Sequence, residues 1–332
     1  MPIIYTTNDD SAYVDGLKIE VKDLKDNEII LDNKRVDKDI FLEIKEVIGG
    51  TTDKGIPIAF ITNVTEIPNL ISAKTENIGY FKKIVIADRA AVLVDKVYNS
   101  PQDNNGIALI VATIFFAFQI YGDFSGYSDI AKGCAKVLGI DLMQNFNRPY
   151  LASSIKDFWR RWHISLSTWF KDYLYIPLGG SRCSKFKRDM NLLTTFCVSG
   201  LWHGANWTFL LWGFLHGVYQ VVENHIFRSN KEKKYNKFLL AATLPIRWLI
   251  TLIIVIFTWI PFRANNIADC LYIYKNLFSD LDKISNIQFL YETVNSFKLG
   301  IFEIMIVTAA IILLMFIELV SIRSDDIVTA VN

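Results

Sequence analysis

From Ile107 to Tyr121 the chain carries no charged side chain, and three further blocks, Leu192 to Val222, Phe238 to Phe262 and Leu299 to Val320, are nearly as apolar. Blocks of this kind constrain the fold more than any other feature, because about 20 apolar residues wound as a helix cross the hydrocarbon core of a bilayer. The first block is short for a span, yet reaches if it extends to Phe124 or if the bilayer thins locally. The chain is 52% hydrophobic and still 21% charged, so the two kinds of residue are sorted along the sequence, as in a helical membrane protein.

The sorting is asymmetric. Residues 1–76 hold 9 Lys/Arg against 15 Asp/Glu, and residues 77–332 hold 26 against 19. The acidic part reads as a small soluble α+β unit. Leu17, Ile19 and Val21 alternate with polar residues as in a half-buried strand, residues 55–64 read as a second strand, and Asp39 to Val47 as a short helix. The N-terminus has neither a basic region nor a long apolar run, so no cleavable signal is expected. The basic part opens with residues 81–98, whose periodicity predicts an amphipathic helix at the membrane surface. Pro101 and the Asn104-Asn105-Gly106 turn end it.

Loop charge suggests a topology. Residues 123–191 hold 11 Lys/Arg against 6 Asp/Glu, residues 223–237 are also basic, and residues 263–298 are balanced. The positive-inside rule puts the first two loops in the cytoplasm and the third outside. The block 192–222 must then enter and leave on one side. Its interior, Ser199-Gly200-Leu201-Trp202-His203-Gly204-Ala205-Asn206-Trp207, suits a broken, re-entrant pair of helices. Arg247 lies within an apolar block and should face a polar interior or snorkel. Glu303 and Glu318 sit near the ends of the last block, where a carboxylate costs little.

Few residues can do proton chemistry. Cys134, Cys183, Cys197 and Cys270 are scattered, which predicts neither a disulfide framework nor a metal site. There is no P-loop, dinucleotide fingerprint, HExxH or GxSxG, and nucleic acid is not an expected partner. The histidines are His163, His203, His216 and His225. His203, among glycines in an apolar block, is either a proton acceptor or a core histidine bonded to a carbonyl. His163 lies in the segment Asp157 to Phe170. Wound as one helix, this places Trp159, Trp162, Leu166, Trp169, Phe170 and Tyr173 on one face and Asp157, Arg160, Arg161, Thr168 and Lys171 on the other. An interfacial aromatic belt with His163 at its edge is the plain reading. His216 and His225 read as structural. Gly179-Gly180 after Pro177 reads as a turn.

The ordered pieces Asp123-Phe124-Ser125-Gly126-Tyr127-Ser128-Asp129, Asn145-Phe146-Asn147-Arg148-Pro149-Tyr150, Asp157 to Phe170, Tyr173-Leu174-Tyr175-Ile176-Pro177-Leu178-Gly179-Gly180 and Gly200 to Trp207 resemble the membrane-bound O-acyltransferase family, in its alginate O-acetyltransferase-like branch. Gly79 to Arg89 and Pro261-Phe262-Arg263-Ala264 extend the resemblance to about residues 78–320. It implies a multi-span, mostly α membrane protein with amphipathic interfacial and re-entrant helices. The domains read as 1–76, 77–322 as a partial membrane domain, and a tail at 323–332. It also implies that His203 is the catalytic histidine and His163 the second functional one, beside a tunnel crossing the bilayer.

The reaction implied is acyl transfer from a thioester such as acetyl-CoA, as substrate and not as bound cofactor, to a hydroxyl of an extracytoplasmic polysaccharide or lipid-linked acceptor. His203 would act as general base. Asn206 is a candidate donor to the oxyanion, and Trp159 and Trp162 are candidate substrate contacts. No metal is expected. The chain should sit in the cytoplasmic membrane, with lipid around it and a separate periplasmic transferase as partner. Family members open with several transmembrane helices where this sequence has its acidic segment. An inactive truncated or fused scaffold is therefore one rival reading, and D-alanyl transfer to teichoic acid is another. The Tyr-Ile-Pro-Leu-Gly-Gly piece favours O-acetylation.

Overall fold

The computed structural model describes the backbone of seven strands between residues 4 and 61 and of residues 78–137, 140–228 and 237–331; side chains are described within 78–136, 140–226 and 243–321. By contacts the chain divides into residues 1–76 with 131–142, and residues 77–130 with 143–332.

In the first unit the strands are β1 (Ile4–Thr6), β2 (Ser11–Val14), β3 (Leu17–Glu20), β4 (Glu28–Leu31), β5 (Lys34–Asp37), β6 (Val47–Thr51) and β7 (Pro57–Ile61). They form one sheet in the order β5-β4-β3-β2-β1-β7-β6. All its pairings are antiparallel, with Tyr5 opposite Tyr13 on one side of β1 and Ile58 on the other. The two strands expected from the pattern fall on β3 and β7. The helix expected over residues 39–47 lies outside the described residues, except for Val47 in β6.

The second unit is helical. A wide π-helical stretch, Phe81–Ala87, leads into α1 (Asp88–Tyr98). Ile86, Ala90, Leu93, Val94 and Val97 recur every three or four residues and are fully buried. The apolar stripe of this amphipathic segment therefore faces the protein core. Asn105 then caps α2 (Gly106–Val137), its Oδ1 accepting from Ala108 N at 2.8 Å.

At 32 residues α2 runs well past the end expected near Phe124, so residues 123–137, read as loop, are helix. The reason is close packing. A Cβ on Gly122 would stand 2.7 Å from Lys82 O, and one on Gly126 2.7 Å from Gly79 O. The glycines let two backbones meet where side chains would hold them apart. Lys82, buried by that approach, pairs with Asp129 at 2.9 Å.

Two antiparallel helices, α5 (Lys185–His203) and α6 (Trp207–Arg228), follow the connecting segment. They touch backbone to backbone: a Cβ on Gly200 would lie 2.2 Å from Phe209 O, and one on Gly213 2.2 Å from Phe196 O. The break between them, at residues 204–206, is where the polar, glycine-rich interior predicted it. α7 (Lys237–Arg263) carries Pro245 and Pro261, α8 (Ile267–Asn276) and α9 (Ile287–Ser296) form the loop region, and α10 is Ile301–Val331.

Among the described residues three helices are long and apolar enough to cross a membrane: Gly106–Lys136, Thr243–Arg263 and Ile301–Ser321. Large apolar side chains stand exposed along two of them, including Ile246, Leu249 and Ile253 on α7 and Phe302, Met305, Ile312 and Phe316 on α10. Such continuous apolar faces belong in lipid. The α5–α6 pair packs against α7 through α6. Its base lines a cavity together with Arg247, and at its tip Asn206 Nδ2 donates to Asn265 O at 3.3 Å, just beyond the end of α7.

Glu318 departs from expectation in its burial. It lies near the end of the candidate span Ile301–Ser321, as expected, but it is buried rather than open to water, and Tyr121 Oη donates to it.

Candidate active site

The segment that carries His163 is not one helix. It forms α3 (Ile155–Arg161) and α4 (Ile164–Phe170), with Trp162 extended and His163 left-handed at φ 43°, ψ 58°. A non-glycine residue in that region costs about 1–3 kcal/mol and persists only where its surroundings dictate it. Here they do. Asn147 N donates to Arg161 O at 2.9 Å, Ile164 N to Asn145 O at 3.0 Å, and Ser165 N to Asn145 Oδ1 at 3.1 Å. The Asn-Phe-Asn piece thus runs beside the break and holds it open.

The neighbouring turn is fixed in turn by Tyr150. Its hydroxyl donates to Ala117 O at 2.5 Å and accepts from Trp259 Nε1 at 3.1 Å.

The break splits the predicted aromatic face. Trp162, at 4% exposure, packs among Tyr121, Phe146, Tyr150, Phe158 and Trp259. It is core, not a surface for ligand. Phe170 is buried, whereas Trp169 and Tyr173 are exposed. Trp159 alone of the two expected tryptophan contacts lines a cavity.

His163 sets its ring edge-on to Phe124, with centroids 4.6 Å apart. Burial first, and then the charge of His203, holds its imidazole down at about pKa 4 from the ordinary 6.5. A run of ring contacts links it to the second histidine: Trp162, next to His163 in sequence, meets Trp259 at 5.0 Å, Trp259 meets Phe262 at 5.3 Å, and Phe262 meets His203 at 5.2 Å.

His203 is the last residue of α5. Gly204 ends the helix, and a Cβ there would meet the Phe209 ring at 2.6 Å. The half-buried imidazole touches Trp202, Trp212 and Phe262 at centroid distances of 5.0, 5.3 and 5.2 Å. Asn206 caps α6. Its Oδ1 accepts from Thr208 N at 3.2 Å while its Nδ2 serves Asn265 O. An amide nitrogen has two N–H bonds, so one is left for a substrate.

A cavity of about 840 Å³ is lined by residues of the same helices, though by neither histidine nor Asn206. Its inner wall includes Trp159, Leu166, Phe170, Phe196 and Ser199. Ser199 lies one helical turn before His203, and Trp159 and Leu166 flank His163 in sequence. The outer wall is charged: Lys156, Arg160, Lys171, Arg188 and Arg247 face it against the single carboxylate of Glu223. Arg247 thus meets the expectation of a polar interior. Glu223 also accepts from Ile155 N at 2.6 Å and so fixes the start of α3.

The Gly179-Gly180 turn, with φ of 112° and 53°, brings Tyr175 and Ser181 to the same cavity. Sequence reasoning did not anticipate Arg188, Gln220 or Glu223 as cavity residues; they come from the far ends of α5 and α6, which only the pairing of those helices brings together. His216 is buried, as a structural histidine would be, and His225 pairs with Asp189 at 2.7 Å.

The sequence model of the membrane-bound O-acyltransferase family matches residues 77–264, more than half of the chain. The chain is 43% identical over 201 residues to the probable alginate O-acetylase AlgI of Pseudomonas aeruginosa, covering 60% of this chain and 37% of that protein. It is 42% identical over 203 residues to the peptidoglycan O-acetyltransferase of Helicobacter pylori, covering 60% and 37%. Similarity to the teichoic acid D-alanyltransferase of Bacillus subtilis is lower, 31% over 167 residues, covering 48% and 42%. The chain therefore spans well under half the length of these relatives. With a family match that takes in both histidines and every residue lining the cavity, the chain belongs to the membrane-bound O-acyltransferase family.

Proposed function

We propose that this chain carries the catalytic histidines of an O-acetyltransferase that moves an acetyl group from a thioester to a hydroxyl of an extracytoplasmic polysaccharide. The observation that carries the reading is that His163 and His203 sit on one aromatic cluster, whose Trp159 lines a cation-rich cavity. His203 takes the proton of the attacking hydroxyl as its oxygen forms a bond to the thioester carbonyl carbon. The C–S bond then breaks, and the proton passes from the imidazolium to the departing thiolate. His163, neutral at physiological pH, supplies a second imidazole to orient the reacting groups. The remaining N–H of Asn206 is the candidate donor to the developing oxyanion.

The cavity suits a donor whose thioester arm ends in phosphates, such as acetyl-CoA, because five cations and several aromatic rings line it. Loop charges favour the cytoplasmic side of the cytoplasmic membrane for its entrance. The contact of His203 with Phe262, in the last turn of α7, supports a reacting centre toward the opposite face, where the polymer or a separate periplasmic transferase would take the acetyl group. The greater similarity to O-acetylases than to the D-alanyltransferase supports acetyl over D-alanyl transfer.

The test is transfer of labelled acetyl from acetyl-CoA by membranes containing the protein. His203→Ala should lower the rate by roughly 10²–10⁴-fold, the usual worth of a general base. Undiminished transfer by that variant overturns the assignment.

A further inference from the structure

His216 is fully buried, and its ring packs both on Trp159, which lines the cavity, and on Trp212, which touches His203. On α6 the spacing of four residues places Trp212, His216 and Gln220 on one face. Gln220 lines the cavity, and Trp212 lies 5.3 Å from the His203 ring. The His216 ring is nearly parallel to Phe158 (7°) and Phe196 (24°) and edge-on to Trp159 and Trp212. No charged side chain is among these neighbours. A phenylalanine would stack as well in such a place.

What the imidazole adds is Nδ1, which accepts from Trp159 Nε1 at 3.2 Å. An accepting Nδ1 puts the ring proton on Nε2, and that buried N–H has no acceptor among the described residues. A buried donor without a partner is a penalty that an ordinary core position would not retain. Trp159 is also the one indole of the aromatic cluster that lines the cavity.

We infer that His216 is a positioning residue: its Nδ1 holds the Trp159 indole as the inner wall of the cavity and so shapes the passage by which the donor's arm reaches His203. The inference rests on the proposed function, which makes that cavity the donor site. His216 does no proton chemistry itself. It acts only through Trp159.

The experiment measures coenzyme A binding to the purified full chain in nanodiscs, alongside KM for acetyl-CoA and kcat. His216→Phe keeps the stacked ring and removes the acceptor; Trp159→Phe removes the donor. Each should weaken coenzyme A binding and raise KM by about 3- to 10-fold, the worth of one neutral hydrogen bond, with kcat little changed. The double variant should be no weaker than either single one, and His216→Asn, with Oδ1 near the place of Nδ1, should recover part of the loss.

Unchanged binding in His216→Phe, additive losses in the double variant, or no coenzyme A binding by the unaltered chain would each overturn the inference. His203→Ala reports on the proposed function separately. If it transfers normally while His216→Phe binds coenzyme A weakly, the base assignment falls and the positioning role stands.

Discussion

Replacing Gly200 by alanine adds one methyl group at the contact between α5 and α6. That Cβ would stand 2.2 Å from Phe209 O, about 1.2 Å short of the 3.4 Å at which ordinary contact begins. The obstacle is a backbone carbonyl within a helix, so no side chain can swing aside. The two helices must part by about an ångström or bend. Overpacking of this kind costs about 1–3 kcal/mol.

His203 is one turn further along α5, so it moves with the displaced segment relative to Phe262 and His163. A misplacement of about 1 Å at a reacting group can cost about 100-fold in rate. Gly200→Ala is therefore expected to lower the melting temperature in detergent and to lower acetyl transfer by about 100-fold. Gly300→Ala is the control, because a Cβ there meets nothing nearer than Glu303 Oε2 at 4.0 Å. A Gly200→Ala protein that melts and turns over like Gly300→Ala would refute the reasoning.

Other outcomes follow from the same geometry. Because burial keeps His163 neutral down to about pH 4, the acid limb of kcat/KM assigned to it should lie near 4; a limb at 6.5, removed by His163→Asn, would contradict the placement. The same depression makes stability fall as pH drops from 6.5 toward 4, since the unfolded histidine takes up its proton first. His163→Asn, which tolerates the left-handed backbone, should flatten that slope in melting curves. Tyr121→Phe leaves the buried Glu318 without its donor and should destabilise the chain by about 1–3 kcal/mol. Glu318→Gln in the same background should restore part of the loss; equal melting of all three proteins would show that the pair contributes nothing.

Much of this protein was legible before any coordinates. Apolar runs of helical length mark α2, α7 and α10, since apolar length is a local property and lipid asks for little else. The glycine-rich interior around His203 marks the turn between α5 and α6 for the same reason: backbone preference is carried by the residues themselves. Periodicity could not reveal that the helix drawn from Asp157 to Phe170 breaks at His163. The break is imposed by Asn145 and Asn147, which lie more than a dozen residues away and bond to the freed backbone. Nor could it separate Trp162, sealed into the core, from Trp159, left at the cavity.

The burial of Glu318 depended on which tyrosine of α2 faces it. The cavity draws its wall from α3, α4, α5, α6 and α7, so no single stretch of sequence contains it. Local sequence chose the elements and the chemical groups. Which groups meet was decided by packing between elements, because a contact has an energy only once both partners are in place.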